Sequence, residues 1–247
     1  MRSELRTAVN VQLYDALIDE IAGAVAVPPY VAVVRGLPLA SPSRLLLGLS
    51  TGLGELVFPD RGQDTCAVDI IRPRTDFETP QWGVNNESLH TDSTTWRQPN
   101  RYTCLFTVLA DSGGGITRLL DIDTVEQALG DSPLLEFLRS RSVPFRLDEP
   151  SGGLRWRPII RHGTIQWARF AIGRDKFGSE CPLEAGVHQA LEQFHRFLAD
   201  CDSDYRVGLE PGDLLVVDNT RSLHCRTRVG DPHGSERLLL RTRIGSA

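Results

Sequence analysis

The sequence has almost no lysine, and it has no excess of positive charge. Of its 27 basic residues only Lys176 is a lysine, so arginine carries nearly all of the positive charge. The formal net charge is −5 and the isoelectric point is about 5.7. Such a chain lacks the basic field that holds nucleic acid phosphates, so we expect no nucleic acid partner. A high-GC genome by itself produces such an excess of arginine, so the large number of arginines indicates no function.

Long apolar runs and paired cysteines are also missing. The longest weakly polar stretch, 21–34, contains Pro28 and Pro29 and is too short to cross a bilayer. Charged residues interrupt the N-terminal region, so we expect no signal peptide. The five cysteines include no Cys-x-x-Cys pair and are expected to be reduced thiols. We therefore expect a soluble, cytoplasmic protein with no membrane partner, and the oligomeric state stays open.

The composition is otherwise that of a folded globular chain, with 40% apolar and 24% charged residues in 247. We expect a single domain over 1–247. The predicted helices cover 10–21 (capped by Asn10), 43–56, 124–130, 133–140 and 182–199. The predicted strands cover 30–34, 66–71, 102–110, 143–147, 155–161, 164–172, 214–218 and 238–244. This order predicts a mainly β fold with flanking helices, as a β-sandwich or a double-stranded β-helix (jelly roll).

A His-x-Asp pair stands just before a predicted strand, at His90 and Asp92. On extended backbone, residues i and i+2 point to the same side, so the imidazole and the carboxylate would converge. One more histidine on a neighbouring strand completes a two-histidine, one-carboxylate triad, which holds Fe(II) on one face and leaves open positions. The pair alone is a weak signal, because structural histidines are common.

Three further motifs follow in order. A glycine-rich turn leads to Thr117, and the segment 210–224 reads as a turn, a buried strand and a polar turn that ends at His224. Arg237 then begins Arg-Leu-Leu-Leu-Arg-Thr-Arg-Ile. With these motifs the sequence resembles the taurine dioxygenase and clavaminate synthase-like family of Fe(II)- and 2-oxoglutarate-dependent oxygenases. The resemblance covers about 85–244 and, more loosely, 33–38.

The resemblance implies a role for each matching residue. His90, Asp92 and His224 would bind the iron, and Thr117 and Arg237 would hold the distal carboxylate of 2-oxoglutarate. A guanidinium fork matches a carboxylate in a bidentate manner, which agrees with that role. Arg241, four residues beyond Arg237, would contact either an acidic group of the substrate or the cosubstrate region.

The implied reaction uses O2 and oxidises a C–H bond with release of succinate and CO2. Hydroxylation is favoured, while desaturation, epoxidation and ring closure stay open. Family members that halogenate have a small residue at the position of the carboxylate, so Asp92 argues against halogenation. The chain is short for this family, which favours a small substrate such as an amino acid or a compact specialised metabolite.

The substrate side is less defined. Asn86 matches a position that faces the substrate in relatives, and Glu87 beside it would meet either an ammonium group or a surface arginine. Trp96 follows the metal motif and is a candidate for the pocket wall, and Asp175 comes after a strand where relatives place substrate contacts. Each of the four is also open to a structural interpretation. His188 and His195, on the last predicted helix, are expected to be solvated rather than to bind metal. Two other functions stay open: a cupin-like metalloenzyme that does not use 2-oxoglutarate, and a catalytically degenerate jelly-roll binding module. Substrate-dependent succinate formation separates them from the oxygenase.

Overall fold

The computed structural model describes residues 2–58, 67–72, 88–111, 115–148, 152–173, 181–202, 204–227 and 236–245. Its helices are α1 (Arg2–Val25), α2 (Pro42–Leu53), α3 (Ile122–Leu129), α4 (Pro133–Ser140) and α5 (Ala185–Asp200). Its strands are β1 (Val31–Val34), β2 (Asp69–Ile71), β3 (Tyr102–Leu109), β4 (Thr117–Asp121), β5 (Val143–Arg146), β6 (Leu154–Arg157), β7 (Ile160–Arg161), β8 (Thr164–Ile165), β9 (Tyr205–Val207), β10 (Leu214–Asp218), β11 (Ser222–Arg226) and β12 (Leu238–Ile244). None of the described helices is both long and apolar enough to span a membrane.

Two antiparallel sheets form the centre of the molecule. The larger sheet has the strand order β1-β10-β3-β12-β2, and the smaller has the order β11-β4-β9. The pairs β5-β6 and β7-β8 form separate two-stranded sheets. The structure therefore confirms the predicted β core with flanking helices.

The alternation of side chains along the strands divides the core into layers. On β10, Leu214 and Val216 pack with the apolar residues of α1 and α2, whereas Leu215 and Val217 pack with residues of the smaller sheet. On β11, Leu223 and Cys225 pack with α3, α4 and α5. Because successive residues of a strand point to opposite faces, the intervening residues of β11 face the space between the two sheets.

A tight turn before β10 depends on a glycine. Gly212 has φ +89°, and a Cβ built there would lie 2.6 Å from the carbonyl oxygen of Leu37. The Leu37 N–H donates to the carbonyl oxygen of Gly212 at 2.7 Å, so the two segments are in backbone contact. The turn therefore has no room for a side chain.

We expect Gly212→Ala to lower the free energy of unfolding by about 3 kcal/mol, because backbone strain and a backbone clash add. Gly163→Ala is the matched control, since Gly163 also has a positive φ, +70°, but no atom lies within 4 Å of its added Cβ. It should cost only about 1 kcal/mol. Urea unfolding followed by circular dichroism measures both, and equal losses would contradict the contact with Leu37.

Several predicted boundaries are wrong. Helix α1 begins at Arg2 and runs through Asn10, because the preceding residues continue the helix and asparagine inside a helix costs less than about 1 kcal/mol. The predicted strand 155–161 is divided into β6 and β7 around Pro158, which has no N–H for a strand ladder. Within the predicted strand 66–71, only Asp69–Ile71 forms a strand among the described residues.

The predicted strand 164–172 is also interrupted. Only Thr164–Ile165 is a strand, and a 3-10 helix follows at Arg169–Ala171. Trp167 is fully buried. The apolar residues of 164–172 are therefore explained by burial in the core rather than by a continuous strand. The carbonyl of Trp167 accepts from Thr91 N–H at 2.7 Å, and its own N–H donates to the Thr91 hydroxyl at 3.1 Å. These two bonds hold the residue that lies between His90 and Asp92.

Candidate active site

His90, Asp92 and His224 come together between the two sheets. Each offers a ligand atom within 4.8 Å of the others, and all three side chains are buried. His90 and His224 form an isolated antiparallel bridge, in which each backbone N–H donates to the other residue's carbonyl oxygen, with N···O distances of 3.0 and 2.8 Å. This is the one group of three metal-ligating side chains among the described residues. This bridge therefore brings together two histidines that are more than one hundred residues apart in the sequence.

The two imidazoles are held in different ways. Nδ1 of His90 lies 2.9 Å from the carbonyl oxygen of Ser88, which only accepts, so Nδ1 donates and Nε2 keeps its lone pair. Nδ1 of His224 is buried without a hydrogen-bond partner among the described residues, and Nε2 lies 3.9 Å from Oδ1 of Asp92. His224 therefore lacks the paired hydrogen bonds of a structural histidine.

His224 and Asp92 are each in the ionisation state that metal binding requires. Burial lowers the pKa of His224 to about 4, against the opposing charge of Asp92, so the ring is neutral at pH 7. Burial alone raises the pKa of Asp92, but the guanidinium of Arg241 and the other nearby cations outweigh it, and the pKa lies well below its usual range. Asp92 is therefore ionised.

Asp92 is the first member of a chain of charges. Arg241 donates to its two oxygens at 3.3 and 3.2 Å, and Thr103 donates to Oδ2 at 3.2 Å. Arg241 also donates to Asp69 at 3.0 Å, and Arg243 lies 2.6 Å from the same Asp69 oxygen. Strands β2, β3 and β12 thus fix the position of the carboxylate.

Asn219 holds the backbone of Asp92. Its Oδ1 accepts from Asp92 N–H at 2.6 Å, and its Nδ2 donates to the Asp92 carbonyl at 3.1 Å. Nδ2 also donates to the carbonyl of Asn100 at 3.0 Å. Asn219 is buried, so these contacts connect the turn after β10 to the His-x-Asp segment.

We expect Asn219→Ala to weaken Fe(II) binding by about tenfold to a hundredfold, because the Asp92 backbone loses both partners and the carboxylate loses its orientation. Thr220→Ala is the control, since it removes a side-chain bond to Asp218 (2.6 Å) in the same turn without touching Asp92. Anaerobic Fe(II) titration compares the two variants. Equal affinities would show that Asn219 does not position the carboxylate.

A small cavity adjoins the cluster and contains the other predicted residues. Thr117, Arg237 and Arg241 line it together with all three members of the cluster. Arg237 is buried, and burial, with the nearby charge of Arg226, lowers its pKa to about 10. The glycine turn makes room for this guanidinium, since a Cβ on Gly115 would lie 3.3 Å from Nε of Arg237.

A larger open cavity of about 1070 Å³ also reaches His90. Its wall carries Arg169 and Glu192, whose charged atoms lie 2.6 Å apart, and also Arg146. His188, which is exposed, and His195, which is half-buried, line the same cavity outside the described metal-ligating group. The cavity therefore offers charges of both signs next to the cluster.

Of the remaining substrate candidates, only Trp96 is among the described residues. Trp96 lies under Arg243, with the guanidinium 5.1 Å from the ring centroid, at the far end of the charge chain. Asn86, Glu87 and Asp175 lie outside the described residues. The roles of Thr103, Asp69 and Asn219 were not predicted from the sequence. Of these, only Asn219 had a signal, since it belongs to the polar turn that leads to His224.

Known proteins resemble this chain in sequence and in fold. The family described as "Taurine catabolism dioxygenase TauD, TfdA family" matches residues 12–243. No curated protein sequence matches the chain. An asparagine oxygenase structure with Fe(II), 3-hydroxyasparagine and succinate has a TM-score of 0.78 at 18% identity, over 93% of this chain and 79% of the other.

Two further solved structures agree. The non-heme iron oxygenase OrfP, in complex with Fe, succinate and dihydroxy-arginine, has a TM-score of 0.70 at 18% identity, covering 96% of this chain and 81% of the other. A taurine dioxygenase from Burkholderia xenovorans has a TM-score of 0.68 at 17% identity, covering 94% and 82%. At these identities the likeness shows a shared fold. Because the family match extends over nearly the whole sequence, the chain belongs to the taurine dioxygenase (TauD/TfdA) family of Fe(II)- and 2-oxoglutarate-dependent oxygenases.

Proposed function

We propose that the protein is an Fe(II)- and 2-oxoglutarate-dependent dioxygenase that hydroxylates a C–H bond of a small, amino acid-like substrate and releases succinate and CO2. The observation that carries the proposal is the buried His90, Asp92 and His224 group, whose ligand atoms lie within 4.8 Å beside an arginine-lined cavity. Two neutral imidazoles and one carboxylate are the donor set of non-heme Fe(II) oxygenases.

The three residues would hold the iron, and their environment fits that role. The Ser88 carbonyl fixes the ring of His90, and the buried Nδ1 of His224, which has no hydrogen-bond partner among the described residues, supports a role as a ligand rather than as a structural histidine. Iron and 2-oxoglutarate, when bound, supply the oxidant that cleaves the C–H bond. The chain itself holds the ligand set in place and excludes bulk water from it.

Thr117 and Arg237 would hold the distal carboxylate of 2-oxoglutarate. Both are buried in the cavity that the cluster lines. A buried guanidinium pairs with a carboxylate in a bidentate manner, and a hydroxyl adds one hydrogen bond. Arg241 would act from between Asp92 and Asp69, where it can hold the iron-binding carboxylate and still face the cosubstrate.

The substrate would occupy the larger cavity beside His90. Its Arg169–Glu192 pair and Arg146 provide partners for both a carboxylate and an amino group. The neighbouring structures contain hydroxylated asparagine and arginine, which supports a polar amino acid. We keep Asn86, Glu87, Trp96 and Asp175 as candidate substrate residues on the grounds given by the sequence.

Four broader expectations complete the proposal. The two facing sheets and the family match support a double-stranded β-helix (jelly roll). We propose one catalytic domain over 1–247, in the cytoplasm. Asp92 would occupy the position that halogenating members leave free, so hydroxylation is the favoured outcome.

A panel of amino acids tests the function through substrate-dependent succinate release under air, with Fe(II) and 2-oxoglutarate supplied. We expect one polar amino acid to give succinate and a hydroxylated product in equal amounts. A panel member that is oxidised without any 2-oxoglutarate consumption would contradict the proposal and favour the cupin-like alternative, which the family match does not support. Tight substrate binding with no turnover by Fe(II)-loaded protein would favour a binding module.

A further inference from the structure

Two arginines lie on the buried face of the β5–β6 pair. Arg155 and Arg157 are directly opposite Phe145 and Val143, which are both fully buried. Directly opposed residues of an antiparallel pair share a face, so the two arginines lie on the core side of β6. Trp156, between them, is 57% exposed. Strand β6 therefore reverses the usual pattern, in which the apolar residue is buried and the charged residues face water.

The two guanidiniums have no acidic partner among the described residues. Both donate to one neutral group, the side-chain oxygen of Gln166, and their other acceptors are backbone carbonyl oxygens. Nε of Arg155 is buried and has no hydrogen-bond partner among the described residues. Burial, with the charges of Arg155 and Arg161, lowers the pKa of Arg157 to about 10, and no acidic group opposes these effects. Two cations thus share one amide oxygen, an arrangement that a bound anion would stabilise.

Arg157 and Gln166 line a cavity of about 670 Å³, together with Thr91 and Asn219, which we call the rear cavity. This volume is within the range of small-molecule sites. Glu55 is the one carboxylate among its described lining residues, but it is exposed and forms no ion pair with Arg157. None of the described lining residues belongs to the small cavity or to the larger cavity beside the cluster. The rear cavity is therefore a separate site.

The rear cavity lies behind the segment that carries two of the candidate iron ligands. His90 and Asp92 line the small cavity, whereas Thr91 between them lines the rear cavity. Successive residues of extended backbone point to opposite sides, which agrees with this division. Asn219, which also lines the rear cavity, bonds to the backbone N–H and carbonyl of Asp92. A ligand in the rear cavity would thus contact residues that hold this segment, without entering the active site.

We propose that the rear cavity binds a small oxyanion, a carboxylate or a phosphate group, on the guanidinium of Arg157. Nη2 of Arg157 makes no hydrogen bond with the described residues, and the planar fork of a guanidinium matches either group. Arg155, which shares the Gln166 oxygen, adds a second positive charge to the site. The inference does not depend on the proposed function, because none of the residues that carry it is a candidate ligand of iron or 2-oxoglutarate.

Calorimetric titration of two probes tests the site, with sulfate standing for a phosphate group and malonate for a carboxylate. The full chain is first saturated with Fe(II) and 2-oxoglutarate without oxygen, so that the active site is already filled, and the ionic strength is held constant. We expect at least one probe to bind at one anion per chain, with a dissociation constant of about 1 mM or less. The probe that binds more tightly identifies the class of the natural ligand.

Arg157→Met should weaken binding of that probe by about tenfold or more, because the charge-assisted hydrogen bonds are lost. Arg157→Lys keeps the charge if the neutral variant does not fold, and its single-point contact should weaken binding by about threefold. Arg44→Met, at an exposed arginine of α2 outside the cavity, is the control and should bind the probe as the wild type does.

The comparison of Arg157→Met with its parent is repeated in the His224→Ala background, where no iron is held, and the same loss is expected there. Failure of the proposed iron site would therefore leave this test intact. A wild-type protein that binds neither probe, or a folded Arg157→Met variant that binds them as tightly as its parent in both backgrounds, would overturn the inference. The two arginines would then only support the neighbouring carbonyl groups.

Discussion

His224→Ala is expected to abolish turnover and to weaken Fe(II) binding by more than about a hundredfold. Removing one of three protein ligands leaves a site that cannot hold the metal on one face, and even residues that only support a ligand cost tenfold to a hundredfold. The buried ring also lies 3.9 Å from Asp92, so its loss leaves a carboxylate with Arg241 and Thr103 as its side-chain partners. Fe(II) affinity under anaerobic conditions is the direct measurement.

His162→Asn is the matched control for this variant. His162 is exposed in the turn between β7 and β8 and has φ +51°, a backbone conformation that asparagine tolerates. We expect unchanged iron affinity and unchanged turnover. If His224→Ala retained wild-type iron affinity while remaining folded, His224 would not be a ligand, and the structural-histidine interpretation would hold.

The second large effect is expected for Arg237→Gln, which should weaken 2-oxoglutarate binding by about a hundredfold and leave Fe(II) binding nearly unchanged. Loss of charge-assisted hydrogen bonds to a buried carboxylate costs about 3 kcal/mol, and every 1.4 kcal/mol is about tenfold in affinity. Calorimetric titration of 2-oxoglutarate into Fe(II)-loaded protein gives the loss directly.

Arg161→Gln, at an exposed arginine of β7, controls for removal of an arginine in this arginine-rich chain. It should bind 2-oxoglutarate as the wild type does. A loss of iron and 2-oxoglutarate binding by the same factor in Arg237→Gln would mean that the residue supports the fold around the cluster rather than the cosubstrate.

Local patterns predicted the parts of the site that depend on spacing along one segment. The His-x-Asp pair converges because extended backbone repeats every two residues, and His224 follows the buried strand β10 through a polar turn. Helix α4 has the predicted bounds, because Ser132 caps it and Pro133 starts it. These features depend on neighbours in sequence.

Other parts depend on which strands are neighbours in space, and no local pattern contains that information. The contact between Arg241 and Asp92 exists because β12 lies between β2 and β3, which also brings Asp69 to the same guanidinium. Arg226 lies opposite Thr117 only through the β11–β4 register. The burial of Trp167 produced a strand-like pattern in a segment that is held instead by two bonds to Thr91.

The most direct test of the central claim is visible absorption of the wild-type protein without oxygen. Fe(II) alone and 2-oxoglutarate alone should leave the protein colourless, and the two together should produce a charge-transfer band that saturates at one iron per chain. The band should be absent in His224→Ala and should return at higher 2-oxoglutarate concentration in Arg237→Gln. A folded wild-type protein that stays colourless with both present would contradict the assignment of the His90, Asp92 and His224 group as an iron site that binds 2-oxoglutarate.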